Sequence, residues 1–303
     1  MDKAEWLEAF ASILTAGAKS NVPMSKHTTW RIGGRADFMV MPATEEELSK
    51  LLKLLTAEKM PWLVIGNGSN VLVGDKGIRG TVIKMGENFS TTTWQGRQVI
   101  VGAGKMLPDL ARQAAGNSLG GLEFAAGIPG SLGGALRMNA GAYGSCIGDY
   151  VSEIEVLEHN GEKRILKAAD ISFAYRDSSL LNMEAVVCRV TLDLLAGEVD
   201  KSLDEIARLQ HLRNLNQPLE FPSCGSVFRN PPNDHAGRLI ELANLRGLQI
   251  GGAAVSKKHG NFIINLGGAR AKDVCELITE VIDKVYNYSG IRLVPEVRMV
   301  GEF

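Results

Sequence analysis

The chain has 303 residues, a formal charge of −1, 45% hydrophobic and 22% charged residues, and 34 glycines against 10 prolines. This is globular composition, which excludes a disordered, collagen-like or supercoiled chain. It also lacks the strongly basic balance of a nucleic-acid binder and any apolar run long enough to span a membrane.

Residues 3–16 are predicted as an amphipathic helix with Trp6, Phe10, Ile13 and Leu14 on one face. Its early acids, Asp2, Glu5 and Glu8, argue against a signal peptide, which needs a basic start. A short strand is expected at 35–41. Thr44 and Glu47 then predict a reciprocal capping box ahead of a helix burying Leu48, Leu51, Leu52 and Leu55. Residues 62–65 read as a buried strand, 66–70 as a tight loop and 71–73 as resumed strand. Further strands are expected at 78–84 and 98–103, and a helix at 108–115. Between residues 120 and 144 lie eight glycines, where an even spread would put about three.

Beyond that block, 151–159 and 161–167 predict a hairpin around a two-residue Asn160-Gly161 turn. A strand at 185–195 and a polar stretch at 196–201, the expected boundary, follow. Helices are expected at 202–215, 236–246 and 271–287, with a proline-punctuated loop at 218–232 and a closing strand at 291–300. Strands and helices mix without regular βαβ alternation, so the fold class is α+β.

Gly66-Asn67-Gly68-Ser69-Asn70 follows a buried strand. Glycine permits positive φ and close ligand approach, and successive N–H groups in such a turn form an anion nest. The alternative is an ordinary hairpin turn. No Gly-Lys-Ser/Thr follows, so it is not a phosphate-binding P-loop, and strand rather than helix follows, so it is not a dinucleotide fingerprint. Gly127-Ile128-Pro129-Gly130-Ser131-Leu132-Gly133-Gly134 is equally bare, and Asn139-Ala140-Gly141-Ala142-Tyr143-Gly144 continues it. Two such loops favour a nucleotide over a packing corner.

Among polar candidates, Ser226 sits in Cys224-Gly225-Ser226-Val227-Phe228-Arg229-Asn230-Pro231. It lacks the Gly-x-Ser-x-Gly elbow, so it suits a proton donor better than a covalent nucleophile, or else caps a turn. Arg176 can grip a carboxylate through two hydrogen bonds, or pair locally with Asp177. Alternation puts Arg292, Val294, Glu296 and Arg298 on one face of the last strand, so Glu296 is either a structural ion pair or a cleft residue. Lys257-Lys258-His259 reads as a solvated turn or, less readily, an anion contact. The five histidines show no metal spacing, and Cys146, Cys188, Cys224 and Cys275 match no zinc pattern and are expected to be reduced thiols. No metal is predicted.

In this order the motifs resemble the UDP-N-acetylenolpyruvoylglucosamine reductases, from Thr28-Thr29-Trp30-Arg31-Ile32-Gly33-Gly34 to Pro295-Glu296-Val297-Arg298. The resemblance implies the FAD-binding fold of the vanillyl-alcohol-oxidase type, with two flavin subdomains and an α+β substrate domain. The expected divisions are 1–86, 87–200 and 201–303, with 291–303 able to pack back on the flavin domain. It implies an FAD enzyme that uses NADPH to reduce the enolpyruvyl ether of UDP-N-acetylglucosamine enolpyruvate to UDP-N-acetylmuramate, for peptidoglycan synthesis. Hydride would come from FAD N5 and the proton from Ser226, while Arg176 and Glu296 stabilise the intermediate. Glu296 helps only when protonated or hydrogen-bonded to the substrate carboxylate.

Carried over by motif, the FAD contacts are Trp30, Gly66, Asn67, Gly68, Ser69, Asn70, Gly127, Ile128, Pro129, Gly130, Ser131, Gly133, Gly134, Asn139, Gly141 and Ala142. The substrate contacts are Tyr175, Asn230 and His259. Some members cover the substrate with a tyrosine on an inserted loop; residues 177–225 here contain no tyrosine, as in the branch lacking that loop. Arg35 stands where many relatives have proline. A cytoplasmic monomer is expected, without nucleic-acid or membrane partners. The rival readings are an FAD-dependent oxidase of the same fold and a non-catalytic nucleotide-sugar binding protein.

Overall fold

A computed structural model describes residues 1–303. Its α-helices are α1 (Lys3–Ile13), α2 (Glu45–Ala57), α3 (Leu107–Gly116), α4 (Leu132–Arg137), α5 (Val199–Asn216), α6 (Ala236–Leu242) and α7 (Ala271–Ser289). None is long and apolar enough to cross a membrane. The chain forms two compact units, each assembled from separated segments.

The first unit comprises 1–20, 38–67 and 80–211. Helix α1 starts on Asp2, whose Oδ1 accepts from the N–H groups of Ala4 and Glu5 at 2.8 and 3.0 Å. It stops at Ile13, short of residue 16, because Leu14 is already extended and Gly17 has φ +61°. The capping box expected at α2 is only half made. Thr44 Oγ1 accepts from Glu47 N at 3.2 Å, but the Glu47 carboxylate turns away to Ala43 N at 2.7 Å and Thr15 N at 3.0 Å. It therefore joins two segments instead of closing on its own helix. Leu48, Leu51, Leu52 and Leu55 are fully buried against Trp6, Phe10 and Phe38.

The main sheet of this unit is antiparallel, in the order Lys163–Lys167, Val151–Glu158, Ala185–Asp193, Gln98–Gly102, Thr92–Gln95. The edge strand Thr92–Gln95 and the early strand Ala18–Pro23 had no sequence expectation. The hairpin turn is not the two-residue type. Glu158 N donates to Glu162 O, and Gly161 N to Glu158 O, at 2.9 and 2.7 Å, with Gly161 at φ +76°. That is the longer loop with glycine in the left-handed position. Val99, Val101, Leu107, Leu110, Ile154, Val190 and Leu192 form the core behind it.

The second unit comprises 21–37, 68–79 and 212–303. Its three-stranded antiparallel sheet runs Gln249–Ile250, Ala253–Val255, Ile263–Asn265. Helix α7 lays Val274, Leu277, Ile278, Val281 and Val285 on the core, with Leu239 and Ile240 of α6 and with Trp30 and Phe228. It ends at Gly290, φ +72°, the left-handed cap that glycine adopts without strain. The regular part of the closing strand is only Arg298–Val300, parallel to Val71–Val73. Leu293 and Val297 are buried and Val294 and Arg298 exposed, but the alternation breaks at Pro295 and Glu296, both half-buried, and at Arg298 and Met299, both exposed.

Candidate active-site elements

In the first unit the two glycine-rich loops meet. Asn67 Nδ2 donates to Pro129 O at 2.7 Å. A Cβ built on Gly66 would lie 2.0 Å from Ser131 Oγ, so any larger residue would force the Ser131 hydroxyl to move. The backbone N–H groups of Gly66 and Asn67 donate to no other protein atom. Free, partly accessible N–H groups on a bare glycine loop suit the phosphate oxygens of a flavin dinucleotide. Gly127, Ile128 and Pro129 are partly exposed beside them, while Gly130 and Ser131 are buried. Gly133 allows α4 to close on Ala103, whose Cβ would stand 3.0 Å from an added Cβ, and Gly134 lies exposed on the same helix. These residues fit FAD.

The Asn139 amide is committed within the protein. Its Oδ1 accepts from Gly148 N at 3.0 Å and its Nδ2 donates to Ala174 O at 2.9 Å. Ala174 begins the tight turn between Phe173–Ala174 and Asp177–Ser178 that carries Tyr175 and Arg176. Arg176 sits at φ +55°, a conformation non-glycine residues rarely hold. Its Nη1 donates to Gly141 O at 2.7 Å, and its Cζ lies 5.6 Å from the Tyr175 ring centroid. Gly141-Ala142 in turn pairs with Ser145-Cys146. Tyr175 is exposed.

In the second unit Ser226 follows Gly225, which has φ +82°. Val227 O accepts from Glu296 N at 2.7 Å, and Arg229 N donates to Val294 O at 2.9 Å, so the Ser226 segment runs antiparallel to the one bearing Glu296. Asn70 Nδ2 donates to Glu296 O at 3.2 Å and Arg298 N to Asn70 O at 3.0 Å, which fixes the far end of that segment. Gly68, at φ +64°, has no room for a Cβ beside His27 O; Ser69 is partly exposed next to it.

Ser226 borders a cavity of about 310 Å³ shared with Asn230, Arg246, His259, Gly260 and Asn261. Asn230 Oδ1 accepts from Ala236 N at 3.0 Å, so this side chain also holds the start of α6. Gly260 is required because a Cβ there would lie 2.6 Å from Gly237 O. His259 Nδ1 accepts from Asn261 N at 3.1 Å, which leaves Nε2 as the site of the proton in the neutral ring. Burial, and then the Arg246 guanidinium, hold its pKa below the ordinary value. Lys258 is no free surface cation: its Nζ donates to Asn214 O, in the last turn of α5, at 2.7 Å.

Trp30 departs from the expected flavin contact. It is 0% exposed in the core of the second unit, its Nε1 donates to Ile263 O at 2.8 Å, and its carbonyl accepts from Asn265 Nδ2 at 3.0 Å. No face of the indole is left for a ligand. Asn261 is the residue that sequence reasoning missed; a lone asparagine between Gly260 and Phe262 gives no signal. No group of side chains could hold a metal ion, and the four cysteines form no disulfide.

Two family models match the chain: an FAD binding domain over residues 36–166, and the C-terminal domain of UDP-N-acetylenolpyruvoylglucosamine reductase over 217–300. The chain is 46% identical over 300 residues to the UDP-N-acetylenolpyruvoylglucosamine reductase of Moorella thermoacetica, covering 98% of this chain and 99% of that one. It is 47% identical over 281 residues to that of Heliobacterium modesticaldum, covering 92% and 90%. The crystal structure of the Thermus caldophilus enzyme superposes with a TM-score of 0.80 at 38% identity, over 92% of this chain and 97% of that one. With both halves of the sequence matched and nearly its full length shared, the chain belongs to the UDP-N-acetylenolpyruvoylglucosamine reductase family.

Proposed function

We propose that this FAD-dependent oxidoreductase uses NADPH to reduce the enolpyruvyl ether of UDP-N-acetylglucosamine enolpyruvate to UDP-N-acetylmuramate, in the cytoplasm and as a monomer. The observation that carries the residue assignment is the antiparallel pairing of the Ser226 and Glu296 segments, with Ser226 itself bordering the cavity. On this reading residues 1–86 and 87–200 are the FAD-binding subdomains and 201–303 the substrate domain, except that 21–37 and 68–79 belong to the same compact unit as 212–303, and 201–211 to the other.

When bound, FAD supplies the hydride that the vinyl carbon of the substrate receives. Negative charge then develops on the adjacent carbon and its carboxylate. Arg176 stabilises that charge as a cation held in place by its turn and by Gly141 O. Glu296 shares that task from the segment beside Ser226. The Ser226 hydroxyl delivers its proton to the carbanionic carbon, completing addition of two hydrogens across the double bond, and is reprotonated from solvent. Serine is a weak acid, so its position must be well set. Asn230 and His259, on the same cavity, bind the UDP-sugar, and Tyr175 contacts substrate beside Arg176.

The test is the Ser226→Ala holoenzyme. NADPH should bleach its flavin at the normal rate, while reoxidation by the enolpyruvyl substrate should slow about 10²-fold or more. Normal reoxidation would remove Ser226 from the mechanism. In the wild-type protein, a flavin colour bleached by NADPH excludes a non-catalytic binding protein. Return of colour on adding substrate without oxygen excludes an oxidase.

A further inference from the structure

We infer that Asn261 is a positioning residue for the Ser226 hydroxyl, acting through the backbone of Phe228. The inference rests on reading Ser226 as the proton donor. The segment that carries Ser226 is not part of a regular sheet. On one side it is held by the terminal segment, through Val227 O and Arg229 N. Antiparallel pairing of that kind uses alternate residues, so the N–H and C=O of Phe228 point the other way. No second strand lies there to receive them.

Asn261 takes that place. Phe228 N donates to its Oδ1 at 2.9 Å, and its Nδ2 donates to Phe228 O at 2.8 Å. The carboxamide thus mimics one peptide group of a neighbouring strand. The side chain is buried, with Asn261 only 4% exposed, so water cannot replace it cheaply. Two further bonds fix the clamp itself. Val227 N donates to Asn261 O at 2.9 Å, and Asn261 N donates to His259 Nδ1 at 3.1 Å. One residue therefore sets three things: the path of the chain two residues after Ser226, the register against the Glu296 segment, and the tautomer of His259. Aspartate supplies no donor to Phe228 O, and leucine supplies neither group.

The experiment compares the Asn261→Asp, Asn261→Leu and Ser226→Ala holoenzymes with wild type by stopped flow, each below its own melting transition. Flavin reduction by NADPH and flavin reoxidation by the enolpyruvyl substrate are read separately, the latter in H₂O and D₂O. We expect both Asn261 variants to reoxidise about tenfold to a hundredfold more slowly, with flavin reduction at the wild-type rate. The solvent isotope effect on reoxidation should rise, because proton delivery becomes the slower step. If Asn261→Leu does not fold, the isosteric Asn261→Asp carries the test alone. Slow reoxidation in Ser226→Ala with normal reoxidation in the Asn261 variants overturns the inference and leaves the Ser226 reading intact. Equal slowing of both half-reactions, with an unchanged isotope effect, also overturns it, since that is a general structural defect. Normal reoxidation in Ser226→Ala removes both.

Discussion

Asn67 donates through Nδ2 to the carbonyl of Pro129 at 2.7 Å, joining two glycine loops that lie 62 residues apart in sequence. The contact depends on the bare backbone of Gly66, where a Cβ would lie 2.0 Å from Ser131 Oγ and 3.2 Å from Ser131 Cβ. Gly66→Ala should separate the loops, at a cost of about 1–3 kcal/mol typical of overpacking. Purified protein should show a lower flavin-to-protein absorbance ratio and a lower Tm. Adding Ser131→Ala removes the nearest clashing atom and should restore much of both. Full flavin content in Gly66→Ala alone would show that the loops have room to part.

Arg176 holds φ +55° at the tip of a tight turn and is tied to Gly141 O. A non-glycine residue there carries about 1 kcal/mol or more of backbone strain. Arg176→Gly should therefore leave Tm unchanged or slightly raised, since the turn relaxes as the hydrogen bond is lost. Turnover with the enolpyruvyl substrate should fall about 10²- to 10³-fold, as for loss of an electrostatic stabiliser. A large drop in Tm with turnover preserved would make Arg176 a structural tie only.

Local pattern carried the elements well. The Leu48, Leu51, Leu52 and Leu55 face and the α7 stripe from Val274 to Val285 are buried as their spacing predicts. Both glycine loops were visible because glycine marks backbone conformation directly. What sequence could not carry are bonds between distant segments. Glu47 leaves its own helix for Thr15, 32 residues away. Helix α7 starts on Asp75, whose carboxylate accepts from Ala271 N and Lys272 N at 2.8 and 3.0 Å across nearly 200 residues. The stretch before Arg298 is no regular strand partly because Pro295 has no N–H to give a ladder. Trp30 sits in a motif of the family, yet packing rather than a ligand holds it.

The Asp75 contact predicts its own measurement. Capping carboxylates at helix starts are worth about 1 kcal/mol. Asp75→Ala should lower stability by about that amount in a denaturant titration, with α7 still formed. Asp75→Asn retains one acceptor oxygen and should recover part of the loss. Identical stability in all three proteins would mean water serves the Ala271 and Lys272 N–H groups equally well.

Thiol reactivity should divide the cysteines. Burial pushes the Cys188 thiol up to about 12, and burial, with Glu296 nearby, also raises Cys224. Neither forms thiolate near neutral pH, and thiolate is the reacting form. A thiol reagent at pH 8 should titrate at most Cys146 and Cys275 in the native protein, both partly accessible, and all four in denaturant. Rapid labelling of Cys188 or Cys224 in the folded state would mean that the core around it opens.

His259 gives a pH dependence with a definite sign. Burial, with Arg246 beside it, holds its folded pKa below the unfolded value of about 6.5. Between those two values the unfolded chain binds the extra proton and the folded chain does not. The stabilisation from a neutral His259 is therefore complete above about pH 6.5 and is lost as pH falls toward the folded pKa. Below that value the loss levels off. His259→Gln keeps an acceptor for Asn261 N but does not titrate, so its Tm should decline less between neutral and mildly acidic pH. Parallel Tm profiles for the two proteins would place the proton-linked instability on another residue.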